Sequence, residues 1–119
     1  MLPGPARMRR REDFTAAVRG GSRASQRLLT GHLLVRDCDE PARAGFIVSK
    51  AVGGAVVRNR VRRRLRSAVA GCLRSLPGGS LLVVRAHPQA ATARQAELAA
   101  DLDLVMRRLL RRQVGTARR

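Results

Sequence analysis

Nine consecutive positions, Arg58 to Arg66, hold six arginines and one asparagine, interrupted only by Val61 and Leu65. On either side stand Val57, Ala68, Cys72 and Leu76, so apolar residues recur every three or four positions. That period belongs to one face of an α-helix. The spacing predicts a long helix over 56–76 with a buried stripe of Val57, Val61, Leu65, Ala68, Cys72 and Leu76. At about 100° per residue, Asn59, Arg62, Arg63 and Arg66 fall together on the opposite arc. The stripe must be buried against another layer, and a strongly cationic face is then left outside.

The rest of the chain supplies that layer. Residues 1–8 carry two prolines and a glycine and read as a loose basic arm. EDFTAAVRGG reads as a short helix from Arg11, with Glu12 and Asp13 favouring its first turn and Gly20 and Gly21 stopping it. Phe14 and Val18 lie four apart and share a face, so spacing alone makes Phe14 a core residue. LLTGHLLVRD (28–37) and AGFIVSKAV (44–52) read as strands on either side of a polar turn, and SLLVVRA (80–86) as a buried strand after PGG. A last helix should open with Thr92 as N-cap and Gln95 completing a capping box. Leu98, Leu102, Val105, Met106 and Leu109 are its core stripe, and 113–119 should be a frayed tail. The order is α-β-β-α-β-α. Strand, helix and strand in succession over 44–86 imply a parallel pair with a crossover, hence an α/β (α+β) two-layer sandwich in a single domain, 1–119.

Composition then narrows the function. Formal net charge is +17, and 24 of the 25 basic residues are arginine, a planar fork suited to phosphate. No acidic residue falls between Glu40 and Glu97, so the arginines of 58–66 have no local partner and repel one another. A bound polyanion would relieve that repulsion, whereas a merely solvated face would not. A membrane surface fits poorly, because the apolar stripe has no aromatic residue and is needed by the core. Phe14 and Phe46 are the only aromatic residues, too few for a platform that stacks many bases. Recognition should therefore run through phosphates and the shape of a folded nucleic acid.

Catalytic and metal-binding patterns are missing from the sequence. Nothing arranges Ser, His and Asp for acyl transfer, and there is no phosphate-binding loop or HExxH pair. Cys38 and Cys72 stand far apart, as do His32 and His87, which argues against a structural metal site. His87, before Pro88, reads as a strand-end residue. No stretch reaches about 18 consecutive apolar residues, and the opening lacks the apolar run of a secretory signal. No membrane association is expected, and two unpaired thiols suit a reducing cytoplasm.

In this setting "VVRNRVRRRLR", preceded by "GFIVSKAVGGA", resembles the signature of the bacterial ribonuclease P protein family. There an RNR motif opens a long basic helix after a strand ending in VSK and a glycine turn. "RMRRREDFTAAVRGG" is similar to the family's N-terminal basic segment and helix, and "GGSLLVVRAHPQAA" to its third strand and following loop. The resemblance covers about residues 8–111.

It implies an RNA-binding subunit of a ribonucleoprotein endoribonuclease, which with a catalytic RNA removes the 5′ leader from precursor transfer RNA. The chemistry would belong to the RNA subunit and to Mg²⁺ bound mainly by that RNA. Arg58, Asn59, Arg60, Arg62, Arg63 and Arg66 match the motif that meets the RNA subunit, Asn59 adding an amide that can donate and accept. Phe14, Val18, Phe46, Ser49 and Lys50 match or neighbour the cleft that holds the leader. The resemblance further implies a left-handed crossover between the parallel strands, where the general rule gives a right-handed one. Three positions depart from the family pattern. Gly54 stands where asparagine is common, Val18 where a second phenylalanine is frequent, and LLTGHLLV lacks an aromatic residue, so the cleft should rely less on stacking. The alternative is a structural RNA-binding protein of ribosomal type with no processing role. A DNA-binding regulator is a further rival, but a helix with arginine on nearly every turn discriminates bases poorly.

Overall fold

The computed structural model describes residues 6–117 apart from Arg9, with side chains as far as Arg112. The described chain forms helices α1 (Arg11–Gly20), α2 (Ala55–Ala70) and α3 (Gln95–Ala117) and strands β1 (Ser22–Ser25), β2 (Leu29–Val35), β3 (Arg43–Ile47) and β4 (Ser80–Ala86). The strands lie side by side in the order β1-β2-β4-β3. β3 and β4 are parallel, joined through α2, with Phe46 beside Val84. The other two pairings are antiparallel.

β4 is apolar from Leu81 to Val84, where both of its faces are covered, and Arg85 beyond them is exposed. Leu82 and Val84 point into the main core with Val61, Leu65 and Val69 of α2 and Leu98, Leu102, Val105 and Leu109 of α3. Leu81 and Val83 point the other way, onto Ala17 of α1, with Phe14, Val18, Leu34 and Ile47 around them. Burial of these side chains, at roughly 25 cal/mol per Å² of apolar surface, is the main force holding helices to sheet. At the far end of β4, His87 Nδ1 donates to the Arg27 carbonyl at 3.0 Å, and Nε2 stands 2.7 Å from the Thr30 hydroxyl, tying β4 to β2. His87 is thus a strand-end residue held by backbone and hydroxyl. Cys38 and Cys72 are free, and burial pushes the Cys72 thiol above its ordinary range.

Several elements differ from the sequence reading. β1 is additional: SRAS has no apolar run, and it is a strand because it pairs with β2 from Ser22 opposite Leu33 to Ser25 opposite Thr30. β3 ends at Ile47 rather than at 52. Val48 and Val52 are buried, but the chain turns between them, with Val52 N–H donating to Ser49 O at 3.1 Å. α2 stops at Ala70, followed by Gly71 and a 3₁₀ turn, Leu73–Ser75. Glycine's low helix propensity closes α2 there, and Leu76 reaches the core from extended backbone. Its buried ridge uses Val69, with Ala68 half-buried beside it. Thr92 is not an N-cap but the last residue of a 3₁₀ turn, Pro88–Thr92. Glu97 makes the capping bond instead, accepting from Arg94 N–H at 2.9 Å, and Gln95 turns away to donate to the Arg64 carbonyl at 3.0 Å. That bond to Arg94 N–H, foremost, holds the Glu97 carboxyl below its ordinary range.

Of the arm expected over 1–8, residues 1–5 lie outside the described residues. Arg7 bridges to Ala44 in parallel, and Met8 is buried, its N–H donating to Ala44 O at 2.8 Å. The tail expected over 113–119 lies outside the described side chains, while the α3 backbone runs to Ala117.

Candidate nucleic-acid interface

α2 is oriented by its buried ridge. With Val61, Leu65 and Val69 in the core, Asn59 and Arg63 are exposed, and Arg58, Arg60, Arg62, Arg64 and Arg66 are half-buried. The arginines divide by what they touch. Arg60 Nη2 donates to the Ala91 carbonyl at 3.2 Å, and Arg64 Nη1 to the Ala93 carbonyl at 2.6 Å. Both therefore anchor α2 to the turn after β4. Arg60, expected on the RNA face by resemblance, is pointed at that turn. Arg62 Nη1 donates to Asn59 Oδ1 at 3.2 Å, so the asparagine within the arginine run fixes the direction of a guanidinium one turn on.

Among the described residues every ion pair lies off α2, on Arg27, Arg36, Arg43, Arg94 and Arg107. The α2 arginines stay in one another's field. Burial first, and then the charges of Arg7 and Arg62, push the Arg66 guanidinium below its ordinary pKa. These three side chains converge beside the outer edge of β3, where Arg7 and Met8 bridge to Ala44, around a hollow also lined by Met8, Ala44, Gly45 and the rings of Phe14 and Phe46. Phe14 comes from the α1 face of the sheet and Phe46 from the α2 face, so the aromatic pair meets around the strand edge. A second hollow on α2 is lined by Val56, Asn59, Arg62, Arg63 and Arg66, and joins the first through Arg62 and Arg66.

Val18 lies four residues beyond Phe14, half-buried over the apolar patch that includes Leu34, Ile47 and Val83. Ser49 and Lys50 are exposed in the turn after β3. Farther along the same sheet face stands His32, whose imidazole is held below its ordinary pKa by burial and then by the charges of Arg23 and Arg85. Arg7 and His32 escape the sequence reading. For His32 there is a signal, since an imidazole interrupting an otherwise apolar strand marks a face that is not wholly core.

An α/β fold that turns an unpaired arginine face outward beside two aromatic rings is a polyanion-binding protein. The comparisons give the family. The family model of Ribonuclease P matches residues 2–110, and the chain belongs to that family. It is 56% identical over 118 residues to the Ribonuclease P protein component of Streptomyces bikiniensis, across 92% of this chain and 96% of that one. It is 50% identical over 110 residues to the Ribonuclease P protein component of Acidothermus cellulolyticus, across 92% of each. In fold it is similar to the RNase P proteins of Staphylococcus aureus (TM-score 0.75, 23% identity, 86% of this chain and 93% of that one) and Thermotoga maritima (TM-score 0.72, 22% identity, 85% and 96%).

Proposed function

We propose that this ribonuclease P protein component binds the catalytic RNA subunit through the arginine face of α2, and holds the 5′ leader of precursor transfer RNA beside α1. The observation that carries this reading is the hollow at the β3 edge, where Arg7, Arg62 and Arg66 converge next to Phe14 and Phe46. Phosphate oxygens relieve the mutual repulsion of the guanidiniums and accept from their planar forks two bonds at a time. The rings accept an unstacked base, the mode by which single-stranded RNA is usually held.

In this arrangement Arg58, Asn59, Arg62, Arg63 and Arg66 meet the RNA subunit, with Asn59 steering Arg62. Arg60 supports them from behind through the Ala91 carbonyl. Phe14, Val18 and Phe46 flank the leader, with Ser49 and Lys50 at the end of the cleft. The cleft is less aromatic than the family pattern, so affinity for the leader rests more on phosphate contacts. Membership of the family sets aside the structural, ribosomal-type alternative.

A Mg²⁺ site of the chain's own does not fit this face. α2 carries no acidic residue, and a hard cation needs several oxygen ligands. We assign Mg²⁺ and the phosphodiester chemistry to the RNA subunit, and the protein's work to binding and orientation. Among the described residues no helix is long and apolar enough to cross a membrane. A role in maturing transfer RNA supports a cytoplasmic setting for this proposed work.

Reconstitution tests the reading. The purified chain alone should leave precursor transfer RNA intact. With the cognate RNA subunit and Mg²⁺ it should support a single cut at the 5′ end of the mature sequence. Cutting by the rigorously purified chain alone, or failure to bind the RNA subunit, would overturn it.

A further inference from the structure

We infer that the β1 edge of the sheet is a second phosphate-binding track, which takes the part of the leader lying upstream of the stretch beside Phe14. The inference rests on the leader-holding role proposed above. β1 is the edge strand opposite β3, and two of its carbonyls accept from α3. Arg108 Nη1 donates to Ser25 O at 3.3 Å, and Arg112 Nη1 donates to Arg23 O. The Gln26 amide, turned with its oxygen toward Arg108, accepts from the same guanidinium at 3.1 Å.

Covering an edge strand in this way already guards it against pairing with another sheet. Two features go further. A guanidinium has five N–H donors, and those bonds use only some of the five on Arg108. The rest of this exposed fork stands pre-oriented at the edge, and Arg112 adds its charge one turn on. In addition, the cationic surface does not end at the edge. Arg23 lies opposite His32 across the β1–β2 pair, and Arg85 opposite Thr30 across the β2–β4 pair, on the sheet face that α1 shares. The field of both arginines reaches His32 between them.

Nearby carboxylates are otherwise engaged. Asp101 accepts from Leu28 N–H at 3.0 Å, and Glu97 is held by Arg94 and Arg27. The track thus runs from Arg85 past His32 to Arg23 and round the edge to Arg108 and Arg112. It starts on the same sheet face as Phe14 and leaves by the opposite edge, three strand spacings or roughly 14 Å from β3. Both phenylalanines of the chain lie at the β3 end, so this side should hold single-stranded RNA by its phosphates, without base preference.

The test uses the full chain reconstituted with its RNA subunit, and precursors carrying leaders of about 4 and about 16 nucleotides, the range of footprints of single-strand-binding folds. Wild type should bind the long-leader precursor more tightly than the short. Combined Arg23→Gln, Arg108→Gln and Arg112→Gln should abolish that gain while short-leader affinity holds. The dependence of log K on log salt for the long leader should become shallower by about 2, at roughly 0.7 for each phosphate of a single strand left without its arginine. Arg23→Gln alone leaves the bonds at the edge in place and should take away part of the gain, which guards against a folding artefact in the triple variant. Equal losses on both leaders, or none on either, overturn the inference. A wild type that does not distinguish precursor from mature transfer RNA would instead overturn the leader-holding role itself.

Discussion

The ring of Phe14 packs directly on the backbone of Gly45: a Cβ at Gly45 would stand 2.6 Å from Cε1 of that ring. Glycine at this point of β3 is what lets α1 bring an aromatic ring to the strand edge. Phe14 is only half-buried, so it belongs partly to the small α1 core and partly to the hollow. Replacing a fully buried phenylalanine by alanine costs about 3–5 kcal/mol, and Phe14→Ala should cost about half that. It should also weaken precursor binding by roughly 1–3 kcal/mol and leave mature transfer RNA unaffected. Gly45→Ala should displace the ring and produce the same binding defect with Phe14 still present. Melting temperature, read together with affinity for precursor and mature transfer RNA, decides the matter. A stability loss with the precursor preference intact returns Phe14 to the core.

Two pairs of arginines on one helix should behave oppositely. Arg62→Ala and Arg66→Ala remove charges that repel one another and Arg7, so stability should hold or rise slightly. The salt dependence of RNA-subunit binding should then become shallower by about 0.7–0.9 per arginine. Arg60→Ala and Arg64→Ala instead remove bonds to the Ala91 and Ala93 carbonyls. Each should cost about 1 kcal/mol of stability and change the salt slope little. Denaturant unfolding beside a salt titration separates the pairs. Equal slopes for all four variants would mean that the carbonyl bonds do not set direction.

The difference between those pairs shows where sequence reasoning stops. Helical periodicity placed Val61 and Leu65 inside and Asn59, Arg62, Arg63 and Arg66 outside, because each depends only on the turn of its own helix. Arg60 depends on a carbonyl 31 residues away, and no local pattern encodes that. β4 was legible because it is buried on both faces, whereas β1 was not, since four polar residues become a strand only through β2. Both overextended elements share one cause. Val52 and Leu76 are buried in the positions an unbroken strand or helix would give them, and apolar spacing reports burial rather than continuity. Turns at Lys50 and Gly71 break the elements without breaking the pattern.

The departure at Gly54 gives a stability test. Gly54 is the N-cap of α2, with φ −72° and ψ 180° and no side-chain cap. Nothing lies within 4 Å of where its Cβ would stand. Asparagine fits that backbone and can accept from the N–H groups of the first turn. It also lowers the entropy of the unfolded chain. Gly54→Asn should therefore stabilise the protein by about 0.5–1 kcal/mol, seen as a higher melting temperature. An unchanged or lower value would show that the turn needs glycine for some reason beyond the cap.

His32 joins stability to RNA binding through pH. Burial, Arg23 and Arg85 all disfavour its charged form, so its folded pKa lies below the ordinary 6.5. The unfolded chain therefore takes up the proton first as pH falls. The stability contributed by neutral His32 is full above about 6.5 and is lost progressively below it, until the folded group is itself protonated. His32→Asn should remove this part of the decline, read as a flatter dependence of melting temperature on pH below about 6.5. Phosphates placed beside Arg23 and Arg85 would offset their field and raise the imidazole pKa toward its ordinary value. Titrating the His32 ring by NMR in the free protein, and again with a short single-stranded RNA bound, should show an upward shift on binding. If the ring titrates identically with and without RNA, no phosphate lies near Arg23 and Arg85, and the leader does not cross this face of the sheet.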